Sequence, residues 1–170
     1  MLTFRKATAA DLPGMMKVGA QAQAFMATLN IDQWQDGYPE EALLAEDIRI
    51  GRIYVYDDDG RIASITVMTE EPEPIYDTID GQWRSDGPYL TVHRMALDDE
   101  HRHSGLASRI LEHAVAMAKQ LNLPSVRADT HRGNKAMRRF LEKNGFAECG
   151  LVTYDVKEGD PLRVAYERLL

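Results

Sequence analysis

The chain has a single cysteine, Cys149, among 170 residues. This excludes an internal disulfide framework and any zinc site built from several thiolates. No apolar run approaches the roughly 18 residues that a membrane span needs. The start, MLTFRKATAADL, is too charged and interrupted for a secretory leader, so a reducing cytoplasm is the expected compartment and no membrane partner is expected. Basic excess is lacking as well. The formal net charge is −7, which argues against nucleic-acid binding, since that requires a basic surface. An acidic surface is compatible with an amine-bearing substrate, although most such surfaces serve solubility alone. The composition, 44% hydrophobic and 28% charged, is that of an ordinary soluble globular chain. Its length is expected to form one domain, residues 1–170, with a substantial core.

Hydrophobic periodicity orders the elements. LTFRKA alternates as a short strand, and the segment from Thr8 or Asp11 to Leu29 has helical spacing, weakened locally at Gly14 and Gly19. A loop, NIDQWQDGYP, leads to a second helix with Pro39 in its first turn. RIYVYDDDGRIASITVM reads as a hairpin around Gly60. The acidic stretch from Thr69 to Pro88 reads as a long surface loop with room for a short strand. YLTVHRMAL is a strand, SGLASRILEHAVAMAKQL a strong helix, and SVRADTH another strand. A helix from Asn134 to Lys143 closes on Asn144 and Gly145 as its left-handed cap, and a hairpin around Gly159, Asp160 and Pro161 ends the chain. The order β-α-α-β-β-β-α-β-α-β-β predicts an α/β fold, a mixed sheet with helices over its faces.

The stretch LTVHRMALDDEHRHSGLASRI carries the chemistry. His101 and His103 sit two apart in a loop, and His113 lies inside the following helix. No cysteine or carboxylate pair completes a tetrahedral set, so no metal is expected. An anion cradle fits better. Arg102, His103, Ser104, Gly105, Leu106 and Ala107 run from a strand directly into a helix. A helix start offers unpaired N–H groups and about half a positive charge, and a glycine there lets successive amides approach phosphate oxygens. Neither a G-x-x-x-x-G-K-[ST] loop nor a G-x-G-x-x-G fingerprint occurs, which excludes the two common nucleotide-binding readings.

The R-x-x-G-x-A pattern, followed about thirty residues later by NKAMRRFLEKNGF, closely resembles the GNAT superfamily of acyl-CoA-dependent N-acetyltransferases. The QWQDGYP loop is similar to that of a bacterial subset carrying QWxxGYP. The resemblance spans Phe4 to Leu169 and implies a single-domain GNAT-like fold, with a mixed, mostly antiparallel sheet, splayed central strands and helices on both faces. It further implies acetyl-CoA as co-substrate, with its pyrophosphate on the amides of Arg102 to Ala107 and its pantetheine arm on the backbone of Met95, Ala96 and Leu97. Asn134, Met137 and Lys143 would also touch the cofactor. Read without the resemblance, Asn134 is a helix cap, Met95 and Met137 are core, and Lys143 is solvated. The implied reaction moves an acetyl group to a primary amine of a small molecule or peptide by direct attack. A degenerate acyl-CoA sensor of the same fold is the alternative, and the oligomeric states that the resemblance allows include a homodimer.

Amide formation requires a neutral amine, and a lysine-like amine is only ~0.04% free base at neutral pH. His93 is the candidate base: strand alternation would put it on one face with Met95, and imidazole titrates in the useful range. The family's thiolate-protonating tyrosine, seven residues after the helix-start asparagine, is here Leu141. His131 and Tyr154 are the substitutes, with Cys149 read as a small core residue. Asp129, alternating with His131, stands to orient an imidazole or bind the amine. A backbone N–H near Met95 or Leu97 would face the developing oxyanion. Trp34 and Tyr38 would line the acceptor pocket, their ring faces suited to a cation, or pin their loop to the core.

Overall fold

A computed structural model describes residues 1–170. In chain order the elements are β1 (Leu2–Lys6), α1 (Leu12–Thr28), α2 (Glu41–Ile50), β2 (Ile53–Asp58), β3 (Arg61–Thr69) and β4 (Asp80–Gly81). They continue with β5 (Leu90–Leu97), α3 (Leu106–Gln120), β6 (Ser125–His131), α4 (Lys135–Lys143), β7 (Ala147–Thr153) and β8 (Leu162–Leu169). The strand order is β1-β2-β3-β5-β6-β8-β7-β4. The expected α/β order holds, with β4 the short strand of the acidic loop. No helix is long and apolar enough to cross a membrane.

Two compact units divide the chain, Met1–Met68 with His93–Arg109 and Thr69–Val92 with Ile110–Leu170. In the first, β1 and β3 each run antiparallel to β2. Asp59 and Gly60, at φ +50° and +93°, make the two-residue turn that needs left-handed backbone at both positions. Met15 and Val18, three apart on α1, are buried with Leu44 of α2 and Val55 and Ile65 of the hairpin. The expected weakening at Gly14 does not interrupt α1. A Cβ on Gly14 would lie 2.7 Å from Ile62 Cγ1, so the missing side chain is what lets the helix rest on β3. Pro39 precedes the first turn of α2, whose N-cap is Glu40, rather than lying in it.

In the second unit β8 is flanked by β6 and β7, both antiparallel to it, and β4 pairs antiparallel with β7. β5 runs parallel to β6, with the ladder limited to Leu90↔Val126 and Thr91↔Arg127, in line with the splay expected of these strands. α4 ends in a Schellman arrangement: the Gly145 N–H donates to Glu142 O and the Phe146 N–H to Leu141 O. Only Gly145 (φ +85°) is left-handed there, since Asn144 stays at φ −93°.

The acidic stretch is built structure rather than loose surface. A 3-10 turn at Pro74–Thr78 buries Tyr76, whose carbonyl accepts from Trp83 Nε1 at 2.9 Å. Arg127 of β6 lies 4.1 Å from the Trp83 ring and 4.0 Å from the Tyr89 ring and donates to Glu167 at 3.0 Å. Glu167 is fully buried and also accepts from Ser125 Oγ, Ser85 Oγ and the Arg84 and Ser85 N–H groups. Burial pushes its carboxyl pKa up, but the bonds from Ser125, Ser85 and Arg127 outweigh it and hold the group below the usual glutamate value.

Candidate functional site

In the first unit the chain leaves β5 and turns into α3 through Asp98–Gly105. Asp98 is buried, and its N–H donates to Ala63 O on β3. Its Oδ1 accepts the His101 N–H at 3.0 Å and lies 2.5 Å from His101 Nδ1, while Oδ2 is 2.5 Å from Arg61. Burial raises the pKa of this carboxyl, yet His101 and Arg61 more than offset that and keep it below the usual aspartate value. His101 is therefore part of an anchor built on Asp98 and Arg61. No group of three or more His, Cys, Asp or Glu side chains is placed to hold a metal ion.

Above that anchor, His103 and Gly105 adopt φ +62° and +83°. The Ser104 N–H and Oγ both donate to His101 O, and Ser104 Oγ accepts the Leu106 N–H at 3.3 Å. The His103 and Gly105 amides are not spent on these bonds. Alternation of left-handed and ordinary residues ahead of a helix start is the geometry of an anion-binding nest. A Cβ built on Gly105 meets no atom within 4 Å, so the space beside this glycine is open. Leu106 is buried and fixes the first turn of α3, and Ala107 follows half-buried. The Arg102 guanidinium reaches Asp99 at 2.6 Å and Gln21 O at 3.2 Å, and lies 4.0 Å from the Phe25 ring. These contacts brace the turn against α1.

On β5, Arg94 sits at φ +49°. A left-handed residue in a strand breaks the period of two, so the alternation argument that put His93 and Met95 on one face does not hold across it. His93, Met95 and Leu97 are half-buried and Ala96 is buried. The Arg94 guanidinium lies 3.3 Å from fully buried Asp47 of α2, which also accepts from Arg52 Nε at 2.7 Å. That pairing offsets a backbone conformation costing on the order of 1 kcal/mol. Arg94 also lies 5.6 Å from the Tyr38 ring, so the chain's own cation occupies a place near Tyr38 that was assigned to substrate. Trp34 and Tyr38 stand 5.7 Å apart, and Gln23 Nε2 donates to Tyr38 O at 2.6 Å. Trp34 packs on the core of this unit, so it does pin its loop.

In the second unit, Asn134 caps α4 and its Oδ1 accepts the Met137 N–H at 3.1 Å. Met137 is half-buried, Lys143 is exposed, and Leu141 is buried. His131 is buried, and its Nδ1 accepts the Gly133 N–H at 3.0 Å, so in the neutral ring the proton is on Nε2. Asp129 does not orient this imidazole. Its Oδ2 accepts instead from Tyr76 Oη at 2.7 Å and from Tyr154 Oη at 2.9 Å. Burial, reinforced by the Asp129 charge, pushes the Tyr76 phenol well above its ordinary pKa, so it stays a donor. Burial also pushes the Cys149 thiol up, which suits a packed residue rather than a nucleophile. Sequence reasoning missed Tyr76, Asp98 and Asp47. Each acts through a partner remote in the chain, and no local spacing signals such a pair.

The Acetyltransferase (GNAT) family profile matches residues 22–146. The chain belongs to the GNAT family of acetyltransferases. A solved GNAT-family acetyltransferase from Streptococcus agalactiae is 32% identical, with a TM-score of 0.87 over 99% of this chain and 95% of that one. Two others share the fold at lower identity. One is a GNAT-family acetyltransferase from Listeria monocytogenes (14%, TM-score 0.76, 99% and 95% covered). The other is the PaiA N-acetyltransferase from Thermoplasma acidophilum, solved in complex with coenzyme A (16%, TM-score 0.71, 100% and 99% covered). No curated protein matches the chain significantly. Membership of the GNAT family indicates acyl transfer from an acyl-CoA.

Proposed function

We propose that the protein moves an acetyl group from acetyl-CoA to a primary amine of a small molecule or peptide. The carrying observation is the turn of left-handed His103 and Gly105 opening α3, with free space over Gly105. The His103, Gly105 and Ala107 amides are assigned to the pyrophosphate, where the helix dipole favours negative charge. Arg102 holds the turn in shape. Met95, Ala96 and Leu97 are assigned to the pantetheine arm as an added strand would pair, and Asn134, Met137 and Lys143 to the rest of the cofactor.

Bound acetyl-CoA supplies an acyl thioester. The amine nitrogen bonds to the acyl carbon as the carbon–sulfur bond breaks. His93 takes the proton that the amine must lose, and a positioned base of this kind contributes on the order of 10²–10⁴ in rate. An N–H of Met95 or Leu97 faces the charge that grows on the acyl oxygen. The departing sulfur receives its proton from His131 Nε2 or Tyr154 Oη, since Leu141 has none to give. Trp34 and Tyr38 line the acceptor side.

Thiol release in the presence of acetyl-CoA and a panel of amines tests this reading. Release with at least one amine, lowered in His93→Ala with a changed pH profile of kcat/KM, is the expected result. The buried Leu141 favours one rival, an acyl-CoA sensor that does not turn over. Tight coenzyme A binding with no release from any amine would select that rival.

A further inference from the structure

Each of the four buried carboxylates of this structure has a cation on it. Asp11 has Arg5, Asp47 has Arg52 and Arg94, Asp98 has Arg61, and Glu167 has Arg127. Asp129 differs. Its partners are two neutral phenols, Tyr76 and Tyr154, and both donate to the same oxygen, Oδ2. Asp129 is half-buried near the end of β6, and Oδ1 receives neither bond. Tyr76 and Tyr154 pack with Trp83 in one hydrophobic cluster of this unit.

A half-buried negative charge with no counter-cation is costly. Two donors on Oδ2 fix the carboxylate in place. The same bonds leave Oδ1 as the acceptor for something else. A charge-assisted bond from an ammonium is the missing complement.

An ammonium held on a carboxylate is kept protonated, whereas the nucleophile of acyl transfer must be neutral. The group on Asp129 is therefore not the reacting nitrogen. We infer that the acceptor carries a second, non-reacting cation that binds Asp129 Oδ1, so that the substrate class is a diamine or another amine with a distant ammonium. This inference rests on the acyl-transfer reading above and narrows its acceptor.

The test compares a linear alkyl diamine with the alkyl monoamine of equal chain length, each with acetyl-CoA, by thiol release. The expected kcat/KM ratio favours the diamine by about tenfold to a hundredfold, the range of one hydrogen bond to a charged group. Asp129→Asn should bring that ratio towards one, chiefly through the KM of the diamine, while Asp129→Glu retains part of the preference. A wild-type ratio near one overturns the inference and needs no variant to be folded. So does a ratio that Asp129→Asn, with an unchanged melting temperature, leaves intact. The two readings fail separately. Turnover without diamine preference sinks only the acceptor assignment. Calorimetric binding of the diamine that Asp129→Asn abolishes, with no thiol release from any amine, supports the cation site and sinks acyl transfer.

Discussion

Arg61 opens β3 and Asp98 follows β5, and their side chains meet at 2.5 Å beneath the turn that starts α3. Asp98 also caps the 3-10 turn through His101. One buried carboxylate thus joins the sheet to the segment assigned to the pyrophosphate. Asp98→Asn is expected to cost about 2 kcal/mol, less than a fully buried pair because Arg61 is partly exposed. It should also weaken coenzyme A binding severalfold. Denaturant unfolding and calorimetry measure the two effects, and a loss of stability with unaltered affinity would show that the anchor does not shape the turn.

Gly105 offers a cleaner separation of strain from ligand space. Gly105→Ala forces an L side chain to φ +83°, and Gly60→Ala does the same at +93°, in both cases with no atom within 4 Å of the new Cβ. Each should lose on the order of 1 kcal/mol of stability. Only Gly105→Ala should reduce coenzyme A affinity, by about tenfold or more, because only there does the methyl enter ligand space. Equal affinities in the two variants would contradict the cradle.

Acid should act early at the N-terminal ion pair. Hydrogen bonds from Arg5 at 2.7 and 2.8 Å lower the Asp11 pKa from 3.8 to about 2, against the opposing effect of burial. A carboxyl whose folded pKa is lowered contributes stability that is present above its unfolded value and lost as pH falls through the folded one. The contribution is about 2 kcal/mol. It should be full above about pH 5 and mostly gone at about pH 2, and Asp11→Asn should flatten this part of the stability-versus-pH curve. An unchanged curve in that variant would mean that the pair contributes nothing.

Glu167 should be among the most sensitive positions of the second unit. Glu167→Gln replaces an acceptor of five donors with an amide that can accept at one oxygen only, and it leaves the Arg127 charge without its partner. A loss of about 3–5 kcal/mol is expected, the usual effect of breaking a buried pair. A loss below about 1 kcal/mol would imply that Trp83, Tyr89 and the Ser85 carbonyl, which accepts from Arg127 at 2.9 Å, suffice to hold Arg127.

The elements were legible because their signals are local. Asp59-Gly60 marked its hairpin, and the apolar positions from Leu106 to Ala118 on α3 are those the helical period selects. The anion turn was legible for the same reason, since strand, Arg102, Gly105 and helix follow one another directly. The acceptor side was not. Alternation predicts a common face for His93 and Met95, but a left-handed Arg94, held by Asp47 from α2, lies between them. Tyr76 reads as one aromatic in an acidic loop, and its bond to Asp129 crosses 53 residues of chain. Such contacts follow from tertiary packing, which has no period to detect.

Backbone amide shifts recorded by NMR while coenzyme A is titrated in test the central assignment most directly. The account predicts that the largest saturable changes fall on His103, Gly105 and Ala107, at the start of α3. Saturable binding that leaves those amides unmoved, with the main changes at another helix start, would contradict it.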